Sequence, residues 1–488
     1  MTAREPTRRA AANAPSGVPA PVSIDQGPGY VTPANVALLT DLYELAMSDS
    51  YFRHGMNDQA TFALFIRTLP RGRAFLVSAG LDTALATLER LRFEEEALRY
   101  LASLRLFSDG FLEYLRGFRF TCDVRGIPEG ELFFPPEPLL EVTGPRIEAQ
   151  LVETLLLNTL NFQVMVASKA ARVVLTARGR GVVDMSPRRD HGSDAALKAA
   201  RAAYIAGCTG TSNVLAGMLY GIPVVGTMAH SYVMSFSDEL EAFRTFARDF
   251  PNNCVLLIDT YDTMQGVVNA ITVAREMAAA GGRLRAVRID SGDLLEHSRA
   301  VRAALDDAGL HAVQILLSGD LNEYRIAELL DQGAAVDAFG VGTELGTSAD
   351  APTIGGVYKL VEDEKGYRFK LSTGKATLPG SKQVWRMLDA EGQPEGDLLA
   401  LEEESPPPGT VPLLVPVMQK GRRTQSELLS EVRQRCTEQL AALPEDMRQL
   451  DDPIAYPVTL SPALAALRAR MHSSTSDVRV HPSSNHGQ

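Results

Sequence analysis

A histidine set among hydroxyls at the end of an apolar run is the first chemical feature of this chain. In "GIPVVGTMAHSYVMSF" (221–236) the run Ile222, Val224 and Val225 stops at a glycine, and Thr227, His230, Ser231 and Ser235 follow within nine residues. Four roles suit such an imidazole. A metal ligand would want a His or carboxylate one helical turn on, which is missing, although Asp259 could be brought beside it by the fold. A general base would need a nucleophile, and no serine-nucleophile motif is present. A core histidine satisfied by its neighbours is the bland reading. The fourth role is a phosphoryl acceptor, with Asp259 of "LLIDTYDT" fixing the tautomer of the ring.

Other stretches point to anions. "FGVGTEL" puts Gly340 and Gly342 at a strand end, where backbone N–H groups can approach an anion and Thr343 adds a hydroxyl. Alone this is a weak signal that a tight turn would also give. "LLSGDLN" supplies Ser318 and Gly319 at the preceding strand end, and two such loops in succession favour a phosphomonoester site. "RIDSGDL" sets Arg288 and Asp290 two apart, hence on one face of a strand. Arg288 is a fixed cation for an acidic substrate; Asp290 can bind ribose hydroxyls or Mg²⁺. A purely structural ion pair is the alternative. "PRRDHG" adds Arg188 and Arg189, good donors to a diphosphate, while His191 is left without a role.

These residues need a scaffold that brings strand ends together. Six apolar, β-branched runs end in polar or glycine-containing turns: "GVVDMSPRR", "IPVVGTMAHS", "CVLLIDTYDT", "LRAVRIDSGDL", "AVQILLSGDLN" and "AVDAFGVGTEL". His230, Asp259, Asp290, Ser318 and Gly340 are separated by about 20 to 30 residues, the length of one strand–helix unit. Helical patterns lie between them, such as "SDAALKAARAAYIAG", with Ser193 as N-cap and Gly207 as stop. Near-continuous apolar strands alternating with helices predict a parallel sheet. Six in succession suggest an α/β barrel, with a doubly wound open sheet as the rival. In a barrel the strand ends converge on one face, where active sites are built.

Flanking segments differ. Residues 36–165 read as mixed α and β, with a helix opening behind Thr40, and 356–470 as short strands and loops before a last amphipathic helix at 423–445. The barrel is expected over 166–355. Residues 1–35 and 471–488 read as disordered tails, rich in Pro, Ala and Ser or in Ser and His.

Bulk properties narrow the partners. With 60 Asp and Glu against 48 Lys and Arg, the net charge of −12 disfavours nucleic acid. Between Lys169 and Arg201, however, eight basic residues face three acidic ones, which suits a small anion. Four cysteines without a CxxC pair give no support to a disulfide framework or cysteine zinc site, and point to a reducing cytoplasm. No apolar run approaches the roughly 20 residues of a membrane helix, and the N-terminus lacks the apolar segment of a secretory signal.

Taken together, "LLTDLYELAM", "SNVLAG", "GTMAHSYVMSF", "LLIDTYDT", "RIDSGDL", "FGVGTEL", "GGVYKL" and "TLPGSK" resemble nicotinate phosphoribosyltransferase, in unbroken order from about 36 to 390. The resemblance implies the type II phosphoribosyltransferase fold: an irregular α/β barrel beside a second α+β domain formed from N- and C-terminal segments, in a homodimer. It implies an ATP-dependent enzyme of the ligase class in NAD biosynthesis. Nicotinate and 5-phosphoribosyl 1-diphosphate would give nicotinate mononucleotide and diphosphate, with ATP hydrolysis coupled through a phosphohistidine and Mg²⁺ accompanying ATP and diphosphate. The phosphohistidine falls on His230. Tyr43, Thr227 and Arg288 would contact nicotinate, Tyr43 reaching the site of the partner subunit. Ser318, Gly319, Gly340, Gly342 and Thr343 would hold the 5-phosphate and Asp290 the ribose. Where relatives often carry Arg-Arg-Ala-x-Gly, this chain has "RRDHG", and it lacks the cysteines with which some members bind zinc. Nicotinamide phosphoribosyltransferase, the shorter quinolinate enzyme and an inactive nucleotide-binding paralogue are the alternatives, and Arg288 does not separate the acid from the amide.

Overall fold

The apolar runs become strands whose ends meet, as their alternation with helices requires. The computed structural model describes residues 30–370 and 377–478. Its parallel sheet contains β1 (Gly181–Asp184), β2 (Gly210–Thr211), β3 (Cys254–Leu257), β4 (Leu284–Ile289), β5 (Gln314–Leu317) and β6 (Ala338–Val341). Spatial order is β2-β1-β6-β5-β4-β3, with every neighbouring pair parallel.

The run "IPVV", expected as a strand, is not a regular one. It forms a single parallel bridge between Val224 and Thr211. Pro223 has no N–H to give a ladder, so it contributes only its carbonyl, accepting from Thr211 N at 3.0 Å, while Val225 N donates to Thr211 O at 2.9 Å. On the other side the Thr227 hydroxyl donates to Val255 O at 2.7 Å. This irregular segment thus fills the gap between β2 and β3 and completes a ring in chain order. A doubly wound sheet would reverse direction midway, and this one does not. The two-residue β2 is too short to leave a sequence pattern.

Helices between the strands are held by their caps. Asp262, Asp293 and Asn322 accept hydrogen bonds from backbone N–H groups in the first turns of Thr263–Ala279, Leu294–Asp307 and Glu323–Asp331. Ser193, expected as an N-cap, is instead the first residue of Ser193–Ile205; Gly192, at φ 113°, takes the cap position. A side chain is disfavoured at that φ, which is why the cap falls on the glycine.

The N- and C-terminal parts of the chain form the second layer jointly. In a seven-stranded sheet Gln59–Ile66 pairs antiparallel with both Pro138–Pro145 and Gly356–Asp363, and Asp123–Gly126 pairs with Val415–Gln419. The 24-residue helix Glu153–Thr176 links the layers. Leu155, Leu156, Leu160 and Val164 pack into the core of the second layer, and Val166, Ala170, Ala171 and Val173 into that of the barrel. The helix expected at 423–445 is shorter, Leu429–Ala442, because Arg423 belongs to the strand Arg422–Arg423, and it is not the last, since Pro462–Val478 follows.

Residues 1–29 and 479–488 of the expected tails, and residues 371–376, lie outside the described residues. Helix Pro462–Val478 continues past 471, into the span expected as the C-terminal tail. Met471 packs on the second core and the His472 ring meets Phe369 edge-on at 4.7 Å, which holds that turn in place. No helix among the described residues is long and apolar enough to cross a membrane.

Candidate functional site

At the C-terminal ends of the strands the loops surround a cleft of about 600 Å³. Apart from Tyr43 and Asp259, all the residues given a site role in the sequence line it; Ser231 and Ser235 do not. Each arrives there for a local reason. Strand β4 carries Arg288 and exits at Asp290, whose side chains share a face. Arg288 Nε donates to Ser318 Oγ at 2.8 Å, and Arg288 Nη2 and Ser318 Oγ both donate to Asp290 Oδ1. The ion pair is therefore real, and it belongs to the cleft wall. With one Asp290 oxygen occupied, Oδ2 is left facing the site.

His230 opens the short helix His230–Met234. Its Nδ1 lies 3.2 Å from Thr260 Oγ1, and its Nε2 3.9 Å from Asp290 Oδ2. Asp259, expected to hold this ring, is turned away from it. Its Oδ2 accepts from Asp290 N at 2.9 Å and Ser291 Oγ at 2.6 Å, so it fixes the exit of β4 rather than the imidazole. Consecutive residues at a strand end point to opposite sides, and here Thr260 faces the histidine. Thr260 was missed in the sequence; its place directly after Asp259 in "LLIDTYDT" was the available signal.

The two glycine loops are shaped by close backbone approach. Gly319 has φ +97°, and a Cβ there would sit 2.2 Å from Asp290 O. A Cβ on Gly340 would meet Met185 Sδ at 2.6 Å. Gly342 precedes the single helical turn Thr343–Gly346, so N–H groups are presented at the cleft. Beside the second cradle, after the neighbouring strand β1, Arg188 and Arg189 sit on a turn in which Arg189 N and Asp190 N donate to Ser186 O and Ser186 Oγ donates to Asp190 Oδ2 at 3.0 Å. Both arginines are exposed, and neither pairs with a carboxylate among the described residues. Burial, and then the nearby Asp184, push the Asp190 carboxyl up to about 6. Asp320 and Glu344, which the sequence reading did not name, add acidic groups to the rim. His191 is exposed and outside the lining.

Tyr43 stands apart in the same chain, on helix Leu42–Arg53, 47% exposed. Its hydroxyl is held well above the usual phenol range by burial and then by Glu153 and Glu44.

Among the described residues no group of three or more His, Cys, Asp and Glu side chains is placed to hold a metal ion alone. What the cleft offers is oxygen: Asp290 Oδ2 is free of the Arg288 pair, and Asp320 lines the same wall. Mg²⁺ binds through one or two carboxylates together with substrate phosphates, and this donor set fits it.

Glycine cradles and exposed arginines gathered at the C-terminal ends of a ring of parallel strands define the class: α/β-barrel proteins that bind phosphorylated small molecules at their strand ends. Comparison with known proteins narrows it. Family models for the nicotinate phosphoribosyltransferase N-terminal domain, family and C-terminal domain match residues 38–161, 181–362 and 407–468. The chain is 48% identical over 455 residues to nicotinate phosphoribosyltransferase pncB2 of Mycobacterium tuberculosis, covering 92% of this chain and 96% of that one. Nicotinate phosphoribosyltransferase of Bacillus subtilis is 38% identical, covering 88% and 93%. The crystal structure of human nicotinic acid phosphoribosyltransferase superposes with a TM-score of 0.79 at 33% identity, covering 88% of this chain and 99% of that one. The chain belongs to the nicotinate phosphoribosyltransferase family.

Proposed function

We infer that this protein is an enzyme that makes nicotinate mononucleotide and diphosphate from nicotinate and 5-phosphoribosyl 1-diphosphate, in NAD salvage. The observation that carries the reading is one cleft in which Arg288, Asp290 and Ser318 are interlocked between two glycine cradles and the Arg188–Arg189 turn. Breaking the bond from ribose C1 to diphosphate builds positive charge on the ribose. The chain's task is then to orient the ribose through Asp290 and to hold the leaving diphosphate with Arg188 and Arg189. The nicotinate ring nitrogen attacks C1 and needs no protein base, in keeping with the lack of a nucleophile–base pair. Arg288 and Thr227 would receive nicotinate. The Thr227 hydroxyl proton is engaged by Val255 O, so its oxygen lone pairs and methyl are what remain for the ring. Asp290 and Asp320 would hold Mg²⁺, which when bound neutralises charge on the diphosphate.

His230 is assigned to ATP coupling. Thr260 occupies Nδ1, and Nε2 faces the cleft beside Asp290 as a phosphoryl acceptor. Tyr43 lies outside the cleft of its own chain, which supports a homodimer in which it completes a partner's site. The exposed apolar side chains Val214, Leu215, Met218, Leu219 and Val224, beside the cleft mouth, support the same assembly. Residues 36–165 with 356–470 form one domain and 166–355 the other, and the location is cytoplasmic.

The test is product formation from nicotinate, nicotinamide and quinolinate side by side, each with 5-phosphoribosyl 1-diphosphate. Nicotinate is the expected substrate. Turnover of nicotinamide instead assigns the amide enzyme; turnover of none leaves a nucleotide-binding paralogue. Incubation with γ-labelled ATP and peptide mapping under alkaline conditions checks the coupling, and label absent from His230 in the active protein removes it.

A further inference from the structure

Behind the cleft lies a set of buried charges that the proposed chemistry does not touch. Lys169, on helix Glu153–Thr176, is 1% exposed, with Nζ 2.5 Å from Glu323 Oε2 and 2.8 Å from Asp350 Oδ1. Arg73 reaches the same two carboxylates, Asp350 at 2.7 Å and Glu323 at 3.8 Å. Arg172 Nε donates to Glu323 Oε1 at 3.0 Å. Burial alone would raise the Asp350 carboxyl, but Arg73 and Lys169 hold it well below the usual carboxylate range.

The two carboxylates are not placed at random along the chain. Glu323 opens the helix that follows the Ser318–Gly319 cradle, with Asn322 as its cap. Asp350 follows the turn Thr343–Gly346 that ends the second cradle. A single buried ammonium therefore ties the outgoing ends of both cradles to one long, rigid helix. Charge does not balance within the network: Arg73, Lys169 and Arg172 face only Glu323 and Asp350, leaving one positive charge in excess. Burying such a network is a poor route to stability, because desolvation takes back much of the Coulombic gain. An excess positive charge close behind two anion cradles has a use when the anion arrives.

We propose that Lys169, with Glu323 and Asp350, is a positioning device for the 5-phosphate of the ligand. It fixes the spacing of the two cradles and supplies the excess positive charge behind them. The proposal rests on the reading that these cradles hold a 5-phosphate.

The experiment is calorimetric titration of ribose 5-phosphate and, separately, inorganic diphosphate into the wild type, Lys169→Met and Asp350→Asn, with melting temperatures measured alongside. Ribose 5-phosphate should bind about tenfold or more weakly in Lys169→Met, which loses both the tie and the charge, and about threefold more weakly in Asp350→Asn, which loses the tie but keeps the positive charge. Diphosphate, held by Arg188 and Arg189 outside the network, should change by less than about twofold. In steady-state kinetics the KM for 5-phosphoribosyl 1-diphosphate should rise while that for nicotinate holds. Unchanged ribose 5-phosphate binding overturns the proposal, and so does equal weakening of both ligands, which is what general loosening would give. A wild type that binds diphosphate but not ribose 5-phosphate sinks the cradle reading itself, and the proposal with it. If Lys169→Met does not fold, Asp350→Asn decides, since the Asp350 side chain is 29% exposed and its loss is better tolerated.

Discussion

The two ends of the same parallel strands are built to different purposes. At the C-terminal ends glycines, arginines, carboxylates and a histidine converge on a cleft of about 600 Å³. At the N-terminal ends of β4 and β5 a groove of about 390 Å³ is lined by Ala274, Ala278, Gly282, Gly309, Leu310 and Val313, with Arg283 and Arg285 as its cations. Both ends hold glycines at positive φ, but for different reasons. Gly281 and Gly309 follow the ends of Thr263–Ala279 and Leu294–Asp307, with nothing near their absent Cβ atoms. Gly319 is where the backbone must pass over Asp290. A glycine that stops a helix is a local matter. One that lets two backbones touch joins two loops into a site.

If that contrast is right, substitutions at the cleft end should matter far more than those at the groove end. The largest effect is expected from Gly319→Ala. Positive φ costs about 1–3 kcal/mol for a side chain, and the new Cβ collides with Asp290 O. The kcat/KM for 5-phosphoribosyl 1-diphosphate should fall by about 100-fold or more, with a lowered Tm. The corresponding Gly281→Ala at the groove end should cost only the backbone term, leaving kcat/KM unchanged. Near-equal losses of activity in the two would erase the distinction.

Next comes Arg288→Ala, which removes a charge-assisted contact worth roughly 1.5–3 kcal/mol. The KM for nicotinate should rise by about 10- to 100-fold. Asp290 and Ser318 lose their shared partner too, so kcat should fall with it; an unchanged KM would take Arg288 out of the nicotinate pocket.

Asp190 sharpens the comparison through pH. Its folded-state carboxyl, raised to about 6, lies above the value of an unfolded chain. The folded protein then keeps a proton that the unfolded chain has released, so this group's contribution to stability falls as pH rises from roughly 4 to 6. Asp190→Asn removes the fall. The variant should gain on the wild type by on the order of 1–2 kcal/mol between about pH 4 and pH 7.5. Melting curves across that range check it, and a constant difference would count against buried charge stored at the cleft.

A smaller effect is expected at Thr260, whose hydroxyl meets His230 Nδ1. One neutral hydrogen bond contributes about 1 kcal/mol, so Thr260→Val should cut labelling of His230 by γ-labelled ATP about fivefold. Asp259→Ala should act instead on the exit of β4, raising the KM for 5-phosphoribosyl 1-diphosphate. The smallest effect closes the series: Arg283→Ala and Arg285→Ala should shift stability by less than about 0.5 kcal/mol and leave turnover alone. A loss of activity there would give the groove a role.

The sequence by itself determined which residues are at strand ends and what chemistry they carry, because both are local matters. An apolar run that stops at Ser318–Gly319 or at Gly340–Gly342 states its strand and its cradle within a few residues. The spacing of Arg288 and Asp290 puts them on one face in any strand. Tertiary structure alone decided which side chain meets which. A strand end offers Asp259 to one side and Thr260 to the other, and one step of stagger against β4 exchanges them before His230. Only the packed ring chose the threonine and turned Asp259 to Asp290 N and Ser291. The same holds for the irregular closure at Pro223, where the partner across the gap decides whether an apolar run becomes a strand. It holds most strongly for Lys169, which finds Glu323 at a separation of 154 residues. No local pattern encodes a contact of that span, since it exists only when a helix and two loops have already been packed against one another.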